Sequence, residues 1–102
     1  MRKRLLVVLL VLAVPASSAY AATLPYKTAV KRAQRVGAKH SRQVRGVAWE
    51  ISEGFRFERH KIVFGWYAQR ADGSACTAQL VVRYASLQSR KVVAYFRNQE
   101  CS

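Results

Sequence analysis

Carboxylates are scarce in this chain. Glu50, Glu53, Glu58, Asp72 and Glu100 stand against 18 lysines and arginines, giving a formal net charge of +13 over 102 residues. Acids so few and so scattered make no general acid/base pair. Glu50 and Glu53, three apart on a strand, point to opposite faces. Histidine is limited to His40 and His60, and cysteine to Cys76 and Cys101. Neither Cys-x-x-Cys nor His-x-x-x-His spacing occurs, so the ligand pairs of common metal sites are missing. No nucleophile-elbow pattern surrounds Ser52, Ser74 or Ser86. The chain therefore reads as non-enzymatic, with no catalytic residue, no metal and no cofactor.

Long apolar runs are equally few. One extends over residues 5–14, after Arg2, Lys3 and Arg4 and before Pro15 and the small-residue segment ending at Ala21. That order is the pattern of a secretory signal peptide, and cleavage after Ala21 is expected. The run is about half the roughly 20 residues of a membrane-spanning helix, and no cysteine follows the cleavage point to take a lipid. The expected organisation is residues 1–21 as signal peptide and residues 22–102 as a single small secreted α+β domain. The mature chain is expected to lack a transmembrane segment and to be extracellular or associated with the cell envelope. Internal repeats and interdomain linkers are also absent from the sequence.

The organising part of the chain runs from Lys61 to Cys101. Ile62, Phe64, Trp66 and Ala68 share one parity, as do Cys76, Ala78, Leu80, Val82 and Tyr84, which is the alternation of strands with one buried face. Residues 61–70, 75–85 and 90–98 are read as three consecutive strands. Ala71-Asp72-Gly73-Ser74 supplies the first turn, and pairing Trp66 with Leu80 and Phe64 with Val82 places apolar side chains opposite one another. A second turn at Leu87-Gln88-Ser89-Arg90 sets Cys76 opposite Cys101. In an exported chain that pair predicts a disulfide, worth about 3.5 kcal/mol by the entropy of loop closure. This register turns Val93 and Tyr95 toward the core, although Val92, Ala94 and Phe96 fit equally well there. A bulge near Asn98-Gln99 reconciles the two.

Before this stretch, residues 24–42 read as a helix, with Thr23 able to cap it and Pro25 in the first turn. Its apolar face holds Tyr26, Ala29, Val30, Ala33, Val36, Gly37 and His40. The opposite arc holds Lys27, Lys31, Arg32, Arg35, Lys39 and Arg42, without an acid among them. After Gly46, Val47, Trp49 and Ile51 begin a strand whose parity Phe55 and Phe57 continue past Gly54. It reads as one bent strand turning at residues 58–61, or as two separate strands. The expected fold is α+β: an N-terminal helix packed on a four-stranded antiparallel meander with one disulfide.

This order of one helix and then four strands resembles the cystatin-like layout of small secreted proteins. The resemblance implies protease inhibitors and propeptide-type modules as functional relatives, and so an inhibitor-like or protein-interaction module. The inhibitor motif Gln-x-Val-x-Gly is one residue short in Gln43-Val44-Arg45-Gly46, which lies between helix and first strand. Two surfaces are therefore candidates. The basic helix arc suits an anionic polymer: cell-wall polymer, nucleic acid or acidic lipid headgroups. The sheet face away from the helix, with Tyr67, Arg83 and Arg97 beside Val81 and Tyr95, suits stacking or an unidentified protein partner.

Overall fold

In the computed structural model, which describes residues 22–102, the helix starts directly after a proline. The expected leader and its cleavage point lie outside the described residues. Helix α1 spans Tyr26–Gln43, with extended Pro25 as its N-cap and no side-chain capping bond. It starts later than residue 24 because the Leu24 backbone is engaged elsewhere. The Leu24 N–H donates to the Arg59 carbonyl at 2.8 Å, Arg56 Nη2 donates to the Leu24 carbonyl at 2.8 Å, and the Leu24 side chain is fully buried. Thr23 is therefore not the cap. The helix ends at Gln43 with Val44 as its C-cap, and Arg45 follows in the left-handed region at φ 65°.

The residues buried along α1 are Ala29, Ala33, Gly37 and Ser41, each four apart and all small. Side chains at that spacing lie above one another, and their small size lets the helix axis settle close to the sheet. Val30, Val36 and His40 flank this seam half-buried, whereas Tyr26 is largely exposed.

Five antiparallel strands follow: β1 (Gly46–Ile51), β2 (Phe55–Glu58), β3 (Lys61–Arg70), β4 (Ala75–Tyr84) and β5 (Val92–Cys101). The sheet order is β1-β3-β4-β5, and β2 pairs with the same strand as β1. Thus β1 and β2 are one bent strand broken by a bulge. Ser52 N–H donates to the Gly65 carbonyl and the Ser52 hydroxyl accepts from Gly65 N–H, both at 2.8 Å; pairing then resumes with Phe55 opposite Val63. Glu53 and Gly54 together oppose Phe64. The extra residue reverses side-chain parity. Trp49 and Ile51 are opposite Ala68 and Trp66 on the helix side, but Phe55 and Phe57 are exposed instead of continuing that face as their sequence parity suggests.

The β3–β4 register also differs from the expected one. Phe64 is opposite Leu80, Trp66 opposite Ala78 and Ile62 opposite Val82. The cause is a tighter turn. Arg70 N–H donates to the Ser74 carbonyl at 2.8 Å, Gly73 N–H to the Arg70 carbonyl at 3.0 Å, and Gly73 takes φ +94°, a conformation open to glycine. Partners move by two residues, so every side chain keeps its face.

In the last hairpin Cys76 is opposite Cys101, and the two form a disulfide with Cα atoms 4.0 Å apart. A bulge at Asn98, φ 56°, shifts the register beyond Thr77 and places Val92, Ala94 and Phe96 against the core. Phe64, Trp66, Leu80 and Val82 form the buried centre, as their alternation indicates. Among the described residues, the helix and the sheet share this one core.

Candidate functional site

The outward arc of α1 follows from its buried seam. At about 100° per residue, the positions opposite Ala29, Ala33, Gly37 and Ser41 are those of Lys27, Lys31, Arg35 and Lys39, with Arg42 about 60° round the helix from Lys39, and all five are exposed. The helix carries no acidic residue in its first turn to offset Lys27 at the positive end of the dipole, whereas His40 and Arg42 suit the negative end. Among the described residues the contact between an acidic and a basic side chain is that of Glu58 with His60 Nε2, at 3.3 Å, so no carboxylate neutralises the arc. Successive cations four apart repel by a few tenths of a kcal/mol per pair.

Arg32, the sixth predicted member, has a different role. It is half-buried and its Nη1 donates to the Val92 carbonyl at 3.0 Å, pinning α1 to the edge strand β5. Between the two elements lies a shallow cleft of about 200 Å³ lined by Thr28, Lys31, Arg32, Arg35 and Val92. An anionic group entering there lies among three cationic residues and Thr28. Opposite this arc, His40 closes the seam: its ring stacks on Phe96 at 4.0 Å, lies 4.7 Å from Trp66, and bonds Gln43 and Gln99 through its two nitrogens.

The other predicted surface is less coherent. Tyr67 pairs with Glu50 and Thr77, and Thr77 with Glu100, so the Tyr67 row runs between two carboxylates. Arg97 bonds Gln79 Oε1 at 2.9 Å. Arg83, half-buried at the far end of β4, donates from Nε to the Tyr84 carbonyl at 3.1 Å. The three residues share a face but do not converge on a point. Val81, also on this face, is fully buried between Val63 and Tyr95.

The structure adds Phe55 and Phe57 to the exposed residues, with rings 5.2 Å apart in an edge-to-face arrangement and Lys61 Nζ 5.9 Å from the Phe57 ring. Their parity in the sequence points inward; Gly54 was the signal of the bulge that turns them out. An open cleft of about 490 Å³ lies at Gln43, Val44, Arg45, Arg70, Ala71 and Asp72. There Arg70 is occupied by the Val44 carbonyl at 2.9 Å, and Asp72 accepts from the Ser74 hydroxyl at 2.6 Å and the Ser74 N–H at 2.9 Å. Those two bonds, the hydroxyl first, and the nearby Arg70 hold the Asp72 carboxyl below its ordinary range. No group of three or more His, Cys, Asp or Glu able to hold a metal occurs among the described residues, and no described helix is long and apolar enough to cross a membrane.

No family model, no curated protein and no solved structure matches the chain.

Proposed function

We propose that the protein is an exported, non-enzymatic binding domain that engages an anionic polymer through the outward face of α1. The observation that carries this reading is the arc of Lys27, Lys31, Arg35, Lys39 and Arg42, five exposed cations on one helix with no acidic partner. Stability alone does not favour such an arc, because its neighbouring charges repel. A linear polyanion relieves the repulsion by replacing the small ions condensed along it, and this requires charge density rather than base or sugar identity. The cleft beside Arg32 offers a seat for one anionic group of the polymer. Export is supported by the leader pattern and by the Cys76–Cys101 disulfide, a bond that persists in oxidising compartments.

The test is retention of the protein, purified after export, on immobilised heparin and on duplex DNA of two unrelated sequences. The parent should bind all three, and Lys31→Glu/Arg35→Glu should elute earlier from each. Retention unaltered by the double exchange, or confined to one DNA sequence, would remove α1 from the reading.

A further inference from the structure

Three chain segments meet at one end of the molecule. The β2–β3 turn at Arg59-His60 receives the start of the helical segment through the Leu24 N–H to Arg59 carbonyl bond. It also receives the end of β4, since Tyr84 N–H donates to the His60 carbonyl at 3.1 Å. The β4–β5 loop therefore leaves from the same end, closed by the Ala85 N–H to Lys91 carbonyl bond at 2.8 Å.

Among the described residues, three of the four most exposed large apolar side chains are here. They are Phe55 at 66 %, Phe57 at 54 % and Leu87 at 50 %. The two rings form a pair standing clear of the core, and this end also carries Arg59, Lys61 and Lys91. The local acids are Glu53 and Glu58, and Glu58 is paired with His60.

We propose that this end of the sheet docks on a bilayer surface rich in anionic phospholipid. Phe55, Phe57 and Leu87 enter the boundary between headgroups and acyl chains, and Arg59, Lys61 and Lys91 lie over the phosphates. Exposed aromatic rings on a short strand beside a turn suit that boundary, which accepts apolar side chains without a shaped pocket and places the flanking cations in a negative surface potential. The reading uses none of the residues of the α1 arc and stands or falls separately from it.

The test is partition of the protein, purified after export, into vesicles of phosphatidylcholine with and without phosphatidylglycerol at low salt. Binding is expected to the mixed vesicles, and Phe55→Ser/Phe57→Ser should weaken it about tenfold or more. Both rings being exposed, that variant should keep the parent's melting temperature and its heparin retention. A second variant, Phe57→Trp, should show emission quenched by brominated lipid beyond the quenching of Trp49 and Trp66 in the parent. Absence of partition, partition unaltered by the serine exchanges, or no added quenching in Phe57→Trp would overturn the proposal. The first of these would leave the ring pair to a protein partner.

Discussion

Trp66 ties the sheet to the helix through a single side chain. It is 2 % exposed, its Nε1–H donates to the Gly37 carbonyl at 3.2 Å, and its ring meets Phe96 edge-on at 5.4 Å. Trp66→Ala leaves a cavity and removes a hydrogen bond between sheet and helix in a domain with little stability to spare. It should cost about 3–5 kcal/mol. Urea denaturation checks this, and an unchanged midpoint would refute the assignment of the core. Gly54 shows the opposite failing, since an added Cβ would lie 2.5 Å from Phe64 Cε2 and 2.8 Å from Ile62 Cγ2. Gly54→Ala should therefore destabilise by about 1–3 kcal/mol through overpacking, seen as a lower melting temperature. At Asp72 the folded carboxyl has the lower pKa, so its contribution is present above the unfolded pKa and disappears as pH falls through the folded one. Asp72→Asn should flatten the parent's loss of stability on the acid side of about pH 4, measured by thermal melts across pH.

At the scale of elements, the disulfide secures the end of β5 beyond the Asn98 bulge, where the strand would otherwise fray. Cys76→Ser/Cys101→Ser should lose up to about 3.5 kcal/mol in urea denaturation. Stability equal to the parent's would mean that the crosslink constrains nothing. The same hairpin shows what was legible in the sequence. Its cysteine pairing could be read because strand alternation and a covalent partner constrain one another, but the choice of Val92, Ala94 and Phe96 over Val93 and Tyr95 for the core face hung on a bulge, which the structure places at Asn98. The β3–β4 faces were legible for the first reason, but their register was not. It depends on Asp72, Gly73 and Ser74 closing a shorter turn than composition alone specifies. Phe55 and Phe57 were misplaced because one inserted residue at Glu53-Gly54 reverses every side chain after it. The start of α1 was misplaced because Leu24 is held by the Arg56–Arg59 turn, a contact between segments more than 30 residues apart. Of the candidate site, the basic arc was legible from helical spacing. The diversion of Arg32 to β5 was not, since no local pattern reveals a bond to a carbonyl 60 residues away.

Over the whole molecule, the sheet serves as a scaffold that separates two kinds of surface. One side is covered by a helix that buries small residues and turns its cations outward. One end carries exposed rings among basic residues. With 15 lysines and arginines against five acids after Ala21, approach to any anionic partner should be fast at low salt and much slower at physiological ionic strength. The central claim, that the α1 arc itself makes the contacts, is tested most directly by the slope of log association constant for duplex DNA against log salt. The slope counts the phosphates neutralised, at about 0.9 per contact. The parent should show a steep linear fall, and Lys31→Glu/Arg35→Glu a slope smaller in magnitude by about 2. Equal slopes for the two proteins, or binding that salt does not weaken, would contradict the account.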